Sequence, residues 1–175
     1  PPYLYSAGQE HKSYFSSHFS LAEYQTDFYV YFVEKGLQLL RERGYLGMIV
    51  SDSWLKGKYF RQVREHLLAN TTLQTVVVFG YAPFAGAAIE NSMFITSKDR
   101  RSPTFEVWKF HDPRRLSKVN ELTAEQCLKR GLIDVHWRKD DERIIEKLEA
   151  GGEPLSHFVL LNRGVHPYRT DGYGK

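Results

Sequence analysis

GYLGMIVSDSWL occupies residues 44–55 and carries the clearest structural signal in the chain. Residues 45–50 are aromatic, aliphatic or glycine, and the polar Ser-Asp-Ser follows at once, which is the length and ending of a strand buried on both faces. Before it, apolar residues recur at three- and four-residue steps over residues 21–43, which predicts an amphipathic helix that ends at Gly44. A helix followed directly by a buried strand is the repeating step of a doubly wound α/β sheet.

The same alternation continues along the chain. A second helix is predicted over residues 60–69, and a strand rich in β-branched residues over 73–79. Two more strands are predicted at 91–97 and 104–110 with only a charged turn between them, and strands joined in this way pair antiparallel or leave the edge of the sheet. We therefore predict a mostly parallel sheet that ends in an antiparallel hairpin. Residues 1–20 show neither period and are predicted to form a loop.

The composition changes after residue 112. Residues 113–152 are polar and contain two short helical patterns. Residues 153–175 include a short apolar run at 158–161, which resembles a strand, and continue as a tail rich in Gly, Tyr and Arg. The sequence thus predicts an α/β unit over residues 1–112, then a helical linker, then the beginning of a further domain.

Composition also bounds the class of protein. The chain has 175 residues, of which 42% are hydrophobic and 14% aromatic, enough for a packed core rather than a disordered chain. Its single cysteine, Cys127, excludes an internal disulfide, and the sequence contains no apolar run long enough to cross a membrane. A cytoplasmic setting without a membrane partner is therefore expected. The 24 basic and 21 acidic residues give a net charge of +3, too small to require nucleic acid by itself.

Three features suggest a chemistry. Pro1-Pro2-Tyr3 predicts a turn whose prolines fix the backbone beside an aromatic ring. Ser51 and Asp52 follow the first predicted strand, at the edge where open α/β sheets bind ligands, although either residue can instead cap the next turn. In the small-residue loop after the second strand, Phe84 or its competitor Tyr81 can stack on a planar ligand, or can plug the underside of the loop.

In order and spacing, these features resemble the adenine-N6 DNA methyltransferases of restriction-modification systems, of the Eco57I-like or type IIG kind. That family carries an Asn-Pro-Pro-Tyr motif, a Gly-x-Leu-Gly strand that leads to Trp-Leu, and a loop with a Phe. The resemblance implies that Pro1, Pro2 and Tyr3 are catalytic, and that Tyr3, Phe84 and Ser51 bind an adenine flipped out of double-stranded DNA. The methyl group would come from S-adenosylmethionine, so the expected fold is a partial Rossmann-like methyltransferase fold.

The resemblance also implies what to expect outside this chain. The Asn of the motif would precede Pro1, and the glycine-rich loop and acidic residue that hold S-adenosylmethionine would lie further upstream, so the cofactor-binding residues are unknown. Residues 1–112 are expected to be the C-terminal half of the catalytic domain of a longer enzyme, followed by a helical linker over 113–152. The chain by itself is expected to be inactive, and an upstream endonuclease domain is left open.

The C-terminal tail supplies the expected DNA contacts. Residues 153–175 resemble the beginning of a target-recognition domain, in which Arg163, Arg169 and Lys175 lie among tyrosines, a mixture suited to phosphate and base contacts. Basic residues at position 12, between 56 and 64 and in the turn 98–101 can extend a basic rim, or can simply form solvated faces. No metal-ligand spacing or Walker loop is present in the sequence. Two alternatives stay open: a non-catalytic DNA-binding or specificity module, and an α/β interaction domain in which Pro-Pro-Tyr is accidental.

Overall fold

The computed structural model describes residues 9–23, 26–84, 89–99 and 102–160, without the side chains of residues 9–12, 16 and 139. The chain divides into two compact units, Pro1–Trp137 and Arg138–Lys175, and each is described by itself.

Helices and strands alternate at first, and paired strands follow. The larger unit contains, in chain order, α1 (Gln9–His18), α2 (Tyr29–Leu39), β1 (Tyr45–Ser51), α3 (Ser53–Lys56), a 3-10 turn (Lys58–Phe60), α4 (Arg61–Asn70), β2 (Thr72–Phe79), β3 (Asn91–Ser97), β4 (Thr104–Asp112), β5 (Arg115–Thr123) and α5 (Ala124–Arg130). The smaller unit contains α6 (Lys139–Gly151) and a 3-10 turn (Leu155–His157).

The five strands form one sheet in the order β1-β3-β2-β4-β5. β3 pairs antiparallel with β1 and β2, β2 pairs parallel with β4, and β4 pairs antiparallel with β5. Strands β1, β2 and β4 therefore run in one direction, and their last residues, Ser51, Phe79 and Asp112, reach the same edge of the sheet. β3 starts at that edge with Asn91, which faces Ser51. We call the edge of the sheet where β1, β2 and β4 end the carboxyl edge.

One face of the sheet is packed against α2, α4 and α5. Each of these helices contributes to a single buried cluster with that face, because its apolar residues recur on one side. Met48, Phe94, Val76 and Val107 form a row across four strands on this face. Phe94 is 1% exposed and the two valines are 0% exposed. Full burial of each such side chain stabilises the fold by roughly 1.5–3 kcal/mol.

A buried arginine ties the helical layer together. Arg64 of α4 is 3% exposed, and its guanidinium donates hydrogen bonds to the backbone carbonyls of Trp54 at 3.0 Å, Gly57 at 3.1 Å and Gly131 at 2.5 Å. These carbonyls belong to α3, to the loop after it, and to the left-handed residue that ends α5. Burial lowers the pKa of Arg64, and the three carbonyls replace the water that the guanidinium loses.

The predicted fold class, a mixed α/β sheet with an antiparallel hairpin at its edge, is confirmed. β1, β2, β3 and α4 each begin and end within one residue of the predicted ranges. α2 is much shorter than the helix predicted over residues 21–43, because Glu34 holds the preceding segment in another conformation. The Glu34 carboxylate accepts hydrogen bonds from the backbone N–H groups of Ser20 and Leu21 at 2.8–3.0 Å.

The predicted pairing of residues 91–97 with 104–110 is wrong. β3 lies between β1 and β2, and the antiparallel neighbour of β4 is β5, which falls within the polar stretch predicted as a linker. The sheet is also not mostly parallel, since β2 with β4 is the parallel pair in the described sheet and the other pairs are antiparallel. β5 gives no apolar signal because only Leu122 of its residues is buried.

Two local predictions are also wrong. Residues 9–18 form α1 rather than part of a loop, and the aromatic ring of Phe15 on this helix stacks on Tyr31 of α2 with the centroids 4.4 Å apart. This tertiary contact favours a helix that the Ser- and aromatic-rich sequence does not predict. Residues 158–160 follow a 3-10 turn and are not a strand. Leu160 there is 93% exposed.

The smaller unit is built on α6. The Arg138 N–H donates a hydrogen bond to Asp141 Oδ2 at 2.9 Å, which caps the helix start. The apolar residues Ile144 and Leu148 are exposed. None of the described helices is long and apolar enough to cross a membrane. The boundary between the compact units after Trp137 differs from the functional division proposed at residue 112, because β5 and α5 pack with the sheet.

We expect Arg64→Met to lower the free energy of unfolding by about 3 kcal/mol, because three backbone carbonyls at or beside the core lose a charged donor while the side-chain volume is nearly kept. Urea denaturation measures the change. Arg61→Met is the matched control one turn earlier, where the exposed guanidinium pairs with Glu65 at 2.7 Å, and it should scarcely change stability. Equal stability of both variants would contradict a structural role of Arg64.

Candidate active site

The end of β1 is capped by its own serine. Ser51 is 5% exposed, and its Oγ lies 2.9 Å from Ser53 Oγ and accepts a hydrogen bond from the Ser53 N–H at 3.3 Å. The Ser51 hydroxyl therefore makes the capping contact at the start of α3. Its contact with an adenine stays a prediction.

Trp54 anchors the turn after β1. The side chain is 1% exposed, its Nε1 donates a hydrogen bond to Ser92 Oγ at 2.9 Å, and its ring lies 5.3 Å from that of Phe94. The Trp54 carbonyl accepts the hydrogen bond from Arg64. Because Trp54 is held from β3 on one side and from α4 on the other, the turn that carries Ser51 has a fixed place beside the start of β3.

Two carboxyl groups lie at the carboxyl edge. The Asp52 N–H donates a hydrogen bond to the Glu90 carbonyl at 3.0 Å, just beyond the last β1–β3 pair. Partial burial, the negative charge of Glu90 and a hydrogen bond with the Glu90 side chain raise the pKa of Asp52, and the opposing effect of Lys56 is smaller. Asp52 therefore holds a proton more readily than an ordinary aspartate. Sequence analysis did not predict this pair, because its members lie on different segments of the chain.

A cluster of aromatic residues lies at the end of β2 and in the loop after it. Phe79 stacks on Phe110 of β4 with the ring centroids 5.5 Å apart, and Tyr81 packs edge-on against Phe79 at 5.9 Å. The Gly80 N–H donates a hydrogen bond to the Phe110 carbonyl at 2.7 Å, which holds the chain at β4 as it leaves the sheet. Phe84 is 44% exposed and stacks on no other aromatic ring among the described residues. Of the two aromatic candidates, Phe84 is thus the more available to a ligand.

The structure brings the ends of β1 and β2 to the two sides of β3. Neighbouring strands lie about 4.8 Å apart, so Ser51 and Phe79 are separated by roughly 10 Å across the start of β3. Phe84 follows Phe79 by five residues. The other predicted site residues lie outside the described residues: Pro1, Pro2, Tyr3, Arg163, Arg169 and Lys175.

The basic rim expected between residues 56 and 64 is largely neutralised. Lys56 pairs with Asp134 at 3.0 Å, Arg61 pairs with Glu65, and Arg64 is buried. These three side chains are engaged within the fold and do not contribute to a basic rim, which stays a prediction for the other basic residues.

A cavity lies away from this edge. It has a volume of about 680 Å³ and is lined by residues from the end of α4, the start of β2 and α5. Since β2 starts there and ends at the carboxyl edge, the cavity is at the opposite end of the sheet. The described residues contain no group of His, Cys, Asp or Glu side chains that could hold a metal ion.

We expect Asp52→Asn to raise the free energy of unfolding at pH 7. An acid whose pKa is raised in the folded state costs stability once the pH exceeds its ordinary value of 3.8, and the full cost is present above the raised pKa. The asparagine lacks this cost, so the gain should vanish as the pH falls below 3.8. The gain is small, because solvent screens the half-exposed pair.

Denaturation at several pH values measures the gain, and Glu90→Gln should give a smaller one, because it relieves the charge repulsion but not the burial of Asp52. The double variant should gain less than the sum of the two, because both changes remove the same repulsion. Glu42→Gln is the control: it removes an exposed partner of Lys98 at 3.5 Å and should give no gain. A destabilised Asp52→Asn at pH 7 would contradict the repulsion.

Comparison with known proteins finds similar sequences among restriction-modification enzymes. Residues 1–84 match the sequence model of the Eco57I restriction-modification methylases. A protein of Methanocaldococcus jannaschii, named as a type II restriction enzyme and methyltransferase, is 26% identical over 94 residues, which are 54% of this chain and 8% of that protein.

Solved structures share the fold. The type IIG restriction endonuclease BpuSI superposes with a TM-score of 0.60 at 15% identity, over 86% of this chain and 21% of that one. The methyltransferase subunit of a type I restriction-modification system from Streptococcus thermophilus gives 0.51 at 19% identity, over 73% and 29%. The chain thus spans less than a third of each of these proteins. Residues 1–84 are thus similar to the Eco57I restriction-modification methylases, in agreement with the motifs of the sequence.

Proposed function

We propose that this chain is part of an adenine-N6 DNA methyltransferase of a restriction-modification system, which transfers a methyl group from S-adenosylmethionine to an adenine flipped out of double-stranded DNA. The observation that supports this most is the exposed Phe84 beyond β2, at the sheet edge where Ser51 ends β1. Both residues lie within the segment that matches the methylase family. The cytoplasmic setting expected from the single cysteine is part of the same proposal.

The proposed site holds the adenine above the start of β3. In this proposal Phe84 stacks on one face of the base and Tyr3 on the other. The Pro1 carbonyl and the side chain of an Asn before it accept hydrogen bonds from the exocyclic amine. Two acceptors on the same side of the amine favour a tetrahedral nitrogen whose lone pair can attack the methyl group. Pro2 restricts the backbone of Pro1 and so fixes this carbonyl.

S-adenosylmethionine does not fit the residues of this chain. The sequence contains no Gly-x-Gly-x-x-Gly loop, and the carboxyl edge has stacked aromatic rings and a carboxyl pair rather than a glycine-rich cradle. We therefore assign the cofactor to a half of the catalytic domain that lies upstream in the longer enzyme. This chain supplies the surface that receives the base.

The proposed roles follow the order of the chain. Residues 1–112 form the C-terminal half of the catalytic domain, 113–152 link it to the next domain, and 153–175 begin the target-recognition domain. Arg163, Arg169 and Lys175 are the DNA contacts in this proposal. Phosphate contacts from such a tail position the DNA, and base contacts select the site.

Methylation by the longer enzyme tests the proposal. The purified protein, incubated with S-adenosylmethionine and adenine-containing duplex DNA, should produce N6-methyladenine, which mass spectrometry of the digested DNA detects. DNA binding without any methylated adenine would favour the non-catalytic specificity module. Methylation at cytosine would contradict the adenine specificity.

Phe84→Ala should lower kcat/KM for methylation by about 5- to 100-fold, the effect of losing one stacked base contact. The loss should be smaller on a duplex in which the target adenine is mispaired, because flipping then costs less. Tyr81→Ala is the matched control in the same loop and should show no difference between paired and mispaired substrates. If the mispaired substrate rescues Tyr81→Ala instead, Tyr81 is the stacking residue.

Arg163→Ala with Arg169→Ala should weaken DNA binding by the longer enzyme and reduce the dependence of log K on log salt by about one unit for each lost phosphate contact. Binding measured at several salt concentrations gives this slope. If the arginines contact base edges, the double variant instead methylates additional sites. Unchanged affinity and unchanged site choice would exclude the tail from the DNA interface.

A further inference from the structure

A β-hairpin projects past the carboxyl edge beside the loop that follows β2. β4 continues for two residues beyond Phe110, the partner of Phe79 at the end of β2, and it turns back at Asp112, which pairs with Arg115 of β5. Because a strand rises about 3.3 Å per residue, β4 extends roughly 7 Å past the end of β2 before the turn begins. We call residues 111–115 the hairpin tip.

The hairpin tip is held in one shape. Pro113 restricts its own φ, and the Arg114 N–H donates a hydrogen bond to Asp112 Oδ1 at 2.9 Å. Behind the turn, His111 Nε2 lies 2.8 Å from Ser117 Oγ, a contact that joins the two strands. A segment that is already ordered loses less entropy when it binds a partner. The tip therefore presents its side chains from a fixed backbone.

The side chains of the hairpin tip are polar and mainly basic. Arg114 and Arg115 are exposed, and neither forms an ion pair within the part of the chain that the structure describes. Lys56 and Lys118, by contrast, each contact a carboxylate. The acidic residue of the tip, Asp112, accepts its hydrogen bond from within the turn. Two guanidinium groups are thus available to an anion.

Gly80 brings the hairpin and the loop that carries Phe84 together. Its N–H donates a hydrogen bond to the Phe110 carbonyl, and a Cβ at this position would lie 3.0 Å from that oxygen and 3.2 Å from Lys109 Cε, closer than ordinary contacts. The loop therefore leaves β2 in direct contact with the hairpin. A flipped-out base stays attached to its backbone, so a base that binds at Phe84 brings its neighbouring phosphates towards the hairpin tip.

The chemistry of the hairpin tip favours phosphate over a protein surface. Guanidinium groups bind phosphate oxygens through paired, charge-assisted hydrogen bonds. The centre of a protein–protein interface is more apolar and poor in charged residues, whereas Pro113 is the one apolar residue among residues 111–115. A narrow hairpin that ends in two arginines fits a stretch of nucleic-acid backbone.

We propose that Arg114 and Arg115 bind the phosphates next to the flipped-out adenine and position the DNA without reading its sequence. Phosphate contacts fix the register and orientation of a protein on the duplex and carry no sequence information directly. The inference rests on the proposed function for the identity of the DNA substrate. It adds a DNA contact within the larger unit, separate from the C-terminal tail.

Salt-dependent DNA binding by the longer enzyme tests this contact. In Arg114→Gln with Arg115→Gln, the tip variant, we expect the slope of log K against log salt to fall by about one unit for each lost phosphate contact. Affinity at about 0.15 M salt should fall roughly 5-fold for each contact. The loss should be the same on duplexes of different sequence. Arg114→Lys with Arg115→Lys keeps both charges and should keep the wild-type slope.

Arg41→Gln with Arg43→Gln is the matched control. It removes the same charge from two exposed arginines just before β1, at the opposite end of the sheet, and should leave the slope unchanged. Equal slopes for the wild type and the tip variant, or a loss that the control shares, would overturn the proposal. Altered site choice in the tip variant would assign the arginines to base edges and overturn it as well. Unchanged DNA binding with a lower melting temperature would assign the tip to an acidic protein surface instead.

Neutral linkages in the DNA locate the contact. Once the methylated adenine has been mapped, methylphosphonates on either side of it should weaken binding by the wild type and have little further effect on the tip variant, because both changes remove the same contact. Losses that add would place the arginines elsewhere on the DNA and overturn the proposed location.

Binding is measured without S-adenosylmethionine, so the two proposals are read separately. A longer enzyme that methylates adenine but fails the salt test contradicts this inference alone. One that passes the salt test but methylates no adenine contradicts the proposed function alone, and one that binds no DNA contradicts both.

Discussion

The antiparallel pairing of β3 with both β1 and β2 determines where the other parts of the larger unit lie. Because β3 lies between them, β1 and β2 run in the same direction without touching, and their ends meet at one edge on the two sides of Asn91. The same strand supplies Ser92, which accepts the hydrogen bond from Trp54, and Thr96, whose Oγ1 lies 2.6 Å from that of Thr71. One strand therefore links the turn after β1 to the start of β2.

The elements that sequence analysis predicted well are those with a local cause. β1, β2 and β3 are apolar runs bounded by polar residues, and the polar residues mark where each strand begins and ends. The predictions that were wrong concern which strands pair with each other. The position of β3 depends on a pairing between strands that are not adjacent in the chain, and nothing in residues 91–97 favours β2 over β4. α1 and β5 were missed because tertiary contacts and backbone pairing, rather than an apolar pattern, stabilise them.

The candidate site shows the same limit. The end of β1 could be predicted, and with it Ser51, because strand ends of this kind lie at the ligand-binding edge. The competition between Phe84 and Tyr81 could not be decided from their sequence, since both are aromatic residues in one loop. The structure distinguishes them by packing: Tyr81 contacts Phe79, whereas Phe84 is exposed. The Asp52–Glu90 pair needed the fold, because only the β1–β3 pairing brings these carboxyl groups together.

The carboxyl edge is supported unequally from the two faces of the sheet. On the helical side, Trp54 and Arg64 hold the end of β1 with buried hydrogen bonds, and each bond removed would leave a buried polar group without its partner. On the opposite face, the end of β2 is held by the stacking of Phe79 on Phe110 and by the Gly80 hydrogen bond. The loop that carries Phe84 starts from this second support. Its support is therefore ring packing at a half-exposed position, whereas Ser51 is supported by hydrogen bonds inside the core. The two strand ends that lie on either side of β3 thus differ in how firmly the fold holds them.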